Sequence, residues 1–165
     1  MEFIDTHAHI TMSGYDKKIK LDLDQVVKKA IKANVLKIIN VCIDKASLEK
    51  GEILQKKYPE NIYLAASTTP HDVEKEGHDF FPVVEKLAIE KKLVAIGEVG
   101  LDYFYEISKK EIQKKFFIKY LQLAEKTNLP VIIHCRDAFD DLFEMLDKNP
   151  QNKKVLLHCF TGSVE

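Results

Sequence analysis

The sequence predicts an α/β fold of the TIM (β/α)8 barrel type, with about six of the eight strand–helix units of such a barrel present. Strand-like apolar segments alternate with amphipathic helix-like segments along the whole chain. Histidine or glutamate side chains stand at the carboxyl ends of several strands, which is the face where barrel enzymes hold their active sites. A doubly wound sheet is the alternative, but it usually carries a glycine-rich phosphate loop after its first strand, and this sequence has no such loop.

Six segments predict strands, because they are short, rich in apolar residues and bounded by polar or turn-forming residues. The fourth of them is apolar nearly throughout, which is typical of a parallel strand buried on both faces. The predicted strands are Ile4–Ile10, Leu36–Cys42, Ile62–Ala66, Leu93–Gly97, Val131–His134 and Val155–His158.

Five helices are predicted between these strands, from capping residues followed by apolar residues at helical spacing. Ser108–Glu111 has the Ser-x-x-Glu pattern of a capping box, and Asp137 is the expected cap of the last helix. The predicted helices run from Asp24 to Asn34, from Asp44 or Ser47 to Pro59, from Phe81 to Lys92, from Ser108 to Asn128, and onward from Asp137.

The sequence ends before a barrel of this type could close, since closure takes about eight strands. Gly162–Glu165 resembles the cap and first turn of a further helix. We therefore expect residues 1–165 to form a single, C-terminally incomplete TIM-barrel domain of a longer chain. A natural six-stranded open sheet is the alternative, and it would leave two long apolar edges unpaired.

Composition limits the classes of partner. The 25 basic and 26 acidic residues give a formal net charge of -1, so nothing draws the whole chain toward nucleic acid or a membrane, and any phosphate binding must be local. Cys42, Cys135 and Cys159 show no spacing pattern, and the sequence has neither a signal peptide nor a long apolar stretch. These features predict a cytoplasmic protein without a membrane or evident protein partner, whose cysteines are small buried hydrophobes.

Histidines and one glutamate form a candidate metal site. His7 and His9 alternate along the first strand and therefore share a face with Asp5. Histidines also end two successive apolar strands, in the sequences Ile-Ile-His and Leu-Leu-His. Packing does not explain them, because each buried imidazole would need polar partners. The predicted metal ligands are His7, His9, Glu98, His134 and His158.

Five protein ligands exceed what one catalytic zinc ion takes while keeping an open position, so two divalent ions are expected, about 3.5–4 Å apart. Glu98 is the natural bridge between them and the predicted catalytic residue. The imidazole-rich shell disfavours calcium and leaves zinc, manganese, magnesium and iron open. Asp5 is expected either to accept a hydrogen bond from a ligand or to make a structural hydrogen bond.

Substrate-binding residues are expected beside this site. Arg136, the only arginine, is predicted to hold a phosphate because its planar fork matches phosphate oxygens, and an ion pair with Asp137 or Asp102 is the alternative. The aromatic run Tyr103–Tyr105 is expected either to stack a terminal base or to cover the top of the barrel. Asp102 is also a candidate for orienting a ligand imidazole, and His78 is expected in an exposed loop.

Four motifs carry a resemblance to a known family: DTHAH at Asp5–His9, GEVGLD at Gly97–Asp102, HCRDA at His134–Ala138 and HCFTG at His158–Gly162. In this order and spacing, the chain resembles the TatD family of metal-dependent deoxyribonucleases in the amidohydrolase superfamily, over essentially its whole length. The resemblance implies a TIM barrel that hydrolyses phosphodiester bonds by a two-metal mechanism. It also implies 3′-to-5′ exonuclease activity, with DNA, single-stranded or at 3′ ends, as the partner.

The resemblance also implies roles for individual residues. His7 and His9 would bind one ion, His134 and His158 the other, and Glu98 would bridge the two. The family usually has His-Pro-His after the third strand, where this chain has Thr69-Pro70-His71, so His71 alone is expected to contact the substrate phosphate.

A family aspartate that is both a ligand and a general base would lie beyond Glu165, so the 165-residue chain is expected to be weak or inactive as a nuclease. Two other functions stay open. One is a metal-dependent amidohydrolase acting on a small ester, amide or lactone, although many such enzymes bridge their metals with a carboxylated lysine. The other is a non-catalytic fragment that needs a partner chain.

Overall fold

The computed structural model describes residues 1–12, 22–105 and 107–162, which form a six-stranded sheet in the order β1-β2-β3-β4-β5-β6. Every neighbouring pair of strands is parallel, so the prediction of a partial TIM barrel is confirmed. The strands are β1 (Phe3–Ala8), β2 (Val35–Cys42), β3 (Ile62–Ala66), β4 (Ala95–Asp102), β5 (Val131–Arg136) and β6 (Val155–His158). The helices are α1 (Leu23–Lys32), α2 (Lys45–Lys57), α3 (Val73–Ile89), α4 (Lys110–Thr127) and α5 (Phe139–Lys148).

Side chains of the strands alternate between two apolar regions. The larger region joins one face of the sheet to the helices, through residues such as Leu64, Phe80 and Phe116. The smaller region lies on the opposite face, and its buried residues are Val41, Ala65, Ala95 and Ile132, with Ile39 and Ile43 packed against them. His134 follows Ile132 by two residues along β5 and therefore lies on the same face as this smaller region.

Helix α3 begins at Val73, well before the predicted start at Phe81, and it contains Pro82. A proline inside a helix removes a backbone hydrogen bond, but the buried face of α3 offsets that loss through contacts with α4. At Gly77 a Cβ atom would lie 2.7 Å from the Phe116 ring, so glycine lets the two helices approach closely. His78 is exposed as predicted, but it lies in this helix and not in a loop.

Strand β4 extends to Asp102, beyond the predicted end at Gly97, and β5 extends to Arg136. The extensions pair with each other, with Gly100 opposite His134 and Asp102 opposite Arg136. Glycine is rare in strands, which made the segment after Gly97 resemble a loop. At Gly100 φ is +138°, and a Cβ atom would lie 2.0 Å from the His134 carbonyl oxygen, so the pairing needs glycine there.

The cap predicted for α2 is confirmed, and the caps predicted for α1, α4 and α5 are wrong. Asp44 caps α2, and Ser47 completes its capping box. The cap of α1 is Asp22 and not Asp24. Ser108 does not cap α4, because its hydroxyl donates instead to the His71 carbonyl oxygen at 2.6 Å.

The cap predicted for α5 is also wrong, because Asp137 adopts the left-handed region, with φ at 54°, and the N-cap is Ala138. The further helix expected at Gly162–Glu165 lies largely outside the described residues.

None of the described helices is both long and apolar enough to cross a membrane. Cys42 and Cys135 are buried as expected, but Cys159 follows β6 and is exposed, which corrects the prediction for that residue.

Candidate metal centre

The structure brings the five predicted ligands to one edge of the sheet. His7 belongs to β1 and His9 directly follows it, while Glu98, His134 and His158 belong to β4, β5 and β6. Parallel strands end on the same side, so these side chains converge. Most of them line one cavity of about 430 Å³, whose walls include His9, His71, Glu98, His134, His158 and Cys159.

Glu98 lies at the middle of this group and is 7% exposed. Its Oε2 atom lies 3.1 Å from Nε2 of His9 and 3.3 Å from Nε2 of His7. Its Oε1 atom lies 3.0 Å from Nδ1 of His134. One oxygen of this carboxylate thus faces imidazoles of the β1 segment, and the other faces an imidazole of β5.

The donor atoms fit a divalent cation. The Nε2 atoms of His7 and His9 are 3.0 Å apart, and both lie within 3.3 Å of the same Glu98 oxygen. In a tetrahedral shell with metal–ligand bonds of about 2.0–2.1 Å, neighbouring ligand atoms are about 3.3 Å apart. His9 also donates from Nδ1 to the Val41 carbonyl oxygen at 3.1 Å, which leaves the Nε2 lone pair free to bind a metal.

His158 lies flat against His7, with ring centroids 3.5 Å apart and an angle of 5° between the planes. The donor atoms of His7, Glu98 and His158 all lie within 4.8 Å of one another. The structure therefore groups His158 with His7, whereas the family resemblance implied a pairing with His134. In the described part of the chain Nδ1 of His7 is buried without a hydrogen-bond partner.

A second group of donor atoms adjoins the first and consists of His71, Asp102 and His134, again within 4.8 Å of one another. Asp102 is fully buried, and its Oδ2 atom lies 2.8 Å from Nε2 of both His71 and His134. A carboxylate only accepts hydrogen bonds, so it favours the His134 tautomer that carries its proton on Nε2. The Nδ1 atom of His134 then faces Glu98.

The electrostatics of the cavity suit metal ligation. Burial alone would raise the pKa of Glu98, but hydrogen bonds with His134, His7 and His9 outweigh it and hold that pKa well below its usual range. Burial and then the neighbouring His7 lower the pKa of His158. At neutral pH, Glu98 is therefore an anion and His158 a neutral imidazole, and these are the forms that bind metals.

The pKa of His134 moves in the opposite direction. Burial would lower it, but hydrogen bonds with Glu98 and Asp102 raise the pKa of this imidazole above its ordinary value. The two carboxylates thus stabilise the form of His134 that carries a proton on both ring nitrogens. A cation at Nδ1 would have to displace one of those protons.

Both predicted substrate-binding residues lie beside the cavity. His71 lines it and contacts Asp102. Arg136 stacks on Phe104 and donates from Nη1 to the Tyr105 hydroxyl at 3.1 Å. Among the described residues Arg136 forms no ion pair with Asp137 or Asp102, so that alternative is not what the structure shows.

The structure also bears on the alternatives left open for Asp5 and for the aromatic run. Asp5 is exposed and accepts a hydrogen bond from its own strand, from the backbone N–H of His7 at 3.0 Å, so the local structural bond is the one formed. Tyr103 turns toward the helices, where its hydroxyl donates to Asp141 at 2.5 Å. Tyr103 therefore separates from the two aromatic residues that follow it.

Sequence reasoning missed the residues that hold the end of β4. Gln113 of α4 is 1% exposed, and it accepts from the Asp102 backbone N–H at 2.8 Å and donates to the Asp102 carbonyl oxygen at 3.0 Å. The Tyr120 hydroxyl likewise accepts from the Thr68 backbone N–H at 3.0 Å, in the loop that leads to His71. A glutamine on the apolar face of a helix was the available signal for the first of these contacts.

Comparison with known proteins agrees with this site. The model of the TatD related DNase family matches residues 4–165. The chain is 36% identical to an uncharacterized metal-dependent hydrolase, YabD, of Bacillus subtilis, over 98% of this chain and 62% of that protein. It is 31% identical to a 3′-5′ ssDNA/RNA exonuclease TatD of Escherichia fergusonii, over 98% of this chain and 60% of the relative. It is 32% identical to the human deoxyribonuclease TATDN3, over 96% and 61%.

The crystal structure of YJJV, a TatD homologue from Escherichia coli, superposes with a TM-score of 0.85 at 29% identity, covering 98% of this chain and 61% of that one. The chain thus spans about three fifths of the length of these relatives. The family match covers nearly all of the chain and includes every residue of the candidate metal centre. The chain belongs to the family of TatD-related DNases.

Proposed function

We propose that this chain carries the metal centre of a phosphodiesterase that uses two divalent ions, zinc, manganese, magnesium or iron, to hydrolyse DNA from its 3′ end. One observation carries the proposal: the two oxygens of Glu98 face two separate sets of imidazoles, His7 and His9 on one side and His134 on the other. A carboxylate in that position is suited to bridge two cations.

Each side chain has a defined task in this proposal. His7 and His9 would hold one ion, and His134 would hold the other. Glu98 would lie between the two ions, and His158 would be a further ligand. Asp102 keeps the His134 ring in one orientation through its 2.8 Å hydrogen bond, and the Val41 carbonyl oxygen does the same for His9. Ions bound at such a site supply Lewis acidity and neutralise charge on phosphoryl oxygens.

Phosphate recognition would be local, because the net charge is only -1. His71 lines the cavity, and Arg136 brings N–H donors to the aromatic pair beside it. A guanidinium can grip two phosphate oxygens at once. Two relatives are named as nucleases, one for DNA and one for single-stranded DNA and RNA, which supports a nucleic-acid substrate. We propose single-stranded DNA or 3′ ends as the substrate of this chain.

Glu98→Gln tests the proposal, because glutamine keeps the shape of the side chain but loses the charge that a bridge needs. The variant should lose bound metal, measured by elemental analysis after dialysis, and metal-dependent cleavage of a 5′-labelled oligonucleotide. Glu90→Gln, at an exposed glutamate that pairs with Lys92, is the matched control and should retain both. Full metal content in the Glu98 variant would contradict the bridge.

The same assay tests the substrate and the direction. A 5′-labelled single strand should shorten stepwise from its 3′ end, and a chelator should stop the reaction. A panel of small esters, amides and lactones serves as the comparison. Faster turnover of those substrates than of oligonucleotides would favour the amidohydrolase alternative and contradict the nuclease.

A further inference from the structure

Two exposed aromatic rings stand at the rim of the candidate metal centre. Phe104 and Tyr105 directly follow β4, and each is 53% exposed. Tyr105 reaches the cavity wall, because its ring lies 5.5 Å from the His71 ring in an edge-to-face contact. Scattered exposed apolar residues need no explanation, but paired rings beside a cavity mark a binding surface.

The buried carboxylate of the site fixes the backbone of this pair. The backbone N–H groups of Phe104 and Tyr105 both donate to Oδ1 of Asp102, at 3.0 Å each. The other oxygen of Asp102 contacts His134. The rings and a candidate metal ligand are thus held by the same buried side chain, which sets their distance from each other.

Arg136 contacts both rings. Its guanidinium carbon lies 3.6 Å from the Phe104 ring centroid and 4.8 Å from that of Tyr105, which is the geometry of a cation–π contact. Its Nη1 donates to the Tyr105 hydroxyl at 3.1 Å. One hydrogen bond uses only part of the five-donor guanidinium, so the rest of the fork can still meet a phosphate.

We propose that Phe104, supported by Arg136 and Tyr105, is a stacking platform for one unpaired nucleobase next to the phosphate held at the metal centre. The inference rests on the proposed action on DNA. A base that stacks on a protein ring has to leave its duplex neighbours, so such a platform favours single-stranded ends. It should accept any base, because every base offers a π face.

An abasic substrate separates base stacking from other contributions. The probe is a short 5′-fluorescein oligothymidine with a non-hydrolysable phosphorothioate at its 3′ end, with or without a base at the terminal or penultimate position. Binding is followed by fluorescence anisotropy in the presence of a divalent ion. The wild-type protein should bind the complete strand about tenfold more tightly than one of the two abasic strands, namely the one that lacks the stacked base.

Phe104→Ala should bind both strands equally, with about the wild-type affinity for the abasic one. Phe143→Ala, at another exposed phenylalanine on α5, is the matched control and should keep the full discrimination. Retained discrimination in Phe104→Ala would overturn the platform. So would an equal loss of affinity for both strands, since that indicates a purely structural role.

The outcome is independent of the test of the nuclease itself. If Glu98→Gln abolishes cleavage while the wild-type protein binds abasic and complete strands equally well, the result supports the nuclease and contradicts the platform. If Glu98→Gln retains its full metal content while Phe104 controls discrimination between the two strands, the result supports the platform and contradicts the proposed metal centre. Thermal unfolding of Phe104→Ala near the wild-type midpoint is the check on its fold.

Discussion

Oδ2 of Asp102 lies 2.8 Å from Nε2 of His134. The Asp102 side chain is fully buried, so water cannot replace the imidazole as its partner. The contact connects the end of β4 to a candidate metal ligand on β5. It also fixes which nitrogen of His134 faces Glu98, and it lies outside the set of residues that the sequence identified as ligands.

Replacing Asp102 by Asn should weaken metal binding without removing a ligand. The neutral amide no longer favours the proton on Nε2 of His134, and loss of such a partner typically lowers metal affinity 10- to 100-fold. Titration calorimetry with zinc or manganese measures the change. Asp147→Asn, at an exposed residue of α5, is the control, and equal affinities for the two variants would contradict this role for Asp102.

Gly100→Ala should destabilise the fold by about 2–6 kcal/mol, because the new Cβ atom meets backbone and because φ is unfavourable for alanine. The obstacle is the His134 carbonyl oxygen at 2.0 Å, which cannot move without disturbing the β4–β5 pairing. Urea denaturation measures the loss. Metal affinity should fall as well, since His134 would shift.

Gly51→Ala is the comparison for that substitution. Gly51 lies inside α2, its closest neighbours are side-chain atoms at 3.0–3.1 Å, and alanine gains up to about 1 kcal/mol of helix propensity. Its change in unfolding free energy should therefore be much smaller than that of Gly100→Ala. Equal losses in the two variants would show that the backbone approach at Gly100 is not the cause.

Tyr120→Phe should cost about 1–3 kcal/mol of stability, because it leaves buried polar atoms of Thr68 without a partner. The Tyr120 hydroxyl lies 3.0 Å from both the backbone nitrogen and the Oγ1 atom of Thr68. Tyr63→Phe is the control, since the one hydrogen bond of the Tyr63 hydroxyl to described residues is an exposed contact of 3.4 Å. If urea denaturation gives the two variants the same stability, the contact with Thr68 contributes nothing.

The three cysteines should differ in reactivity toward iodoacetamide. Burial raises the pKa of the Cys42 thiol to about 12 and that of the Cys135 thiol to about 11, so at pH 8 almost none of either is in the reactive thiolate form. Cys159 is exposed. Mass spectrometry of the native protein should show one adduct, at Cys159, and denaturation should expose the other two thiols.

Raising the pH from 8 to 9 gives a further check on Cys42. A thiol with a pKa near 12 gains about tenfold in thiolate fraction over that interval, yet remains almost wholly protonated. Its labelling should therefore stay slow at both pH values. Labelling of Cys42 in the folded protein as fast as that of Cys159 would contradict the burial.

The sequence predicted the strand order well and the strand lengths less well. The bounds of β3 and β6 agree with the prediction, because each is a short apolar run between polar residues. The end of β4 could not be predicted, because Gly97 and Gly100 resemble a turn until their pairing with β5 is known. Likewise, the first half of α3 was not predicted, because Pro82 is unfavourable inside a helix; packing against α4 stabilises this part of α3.

The convergence of the candidate ligands on one edge followed from the sequence, because alternation along parallel strands fixes which side chains share a face. Asp102 was a candidate for orienting a ligand imidazole, but the sequence did not indicate which imidazoles it contacts, namely those of His71 and His134. The contacts of Asp102 depend on the unpredicted length of β4, and the stacking of Arg136 on Phe104 depends on how the loop after Asp102 turns. Such long-range contacts have no local sequence signal.

The most direct measurement is anomalous diffraction from crystals of the protein grown with manganese. Our account predicts two peaks about 3.5–4 Å apart on either side of the Glu98 carboxylate. One should lie within bonding distance of His7 and His9, and the other next to Nδ1 of His134. A single peak, or two peaks that do not share Glu98, would contradict the account.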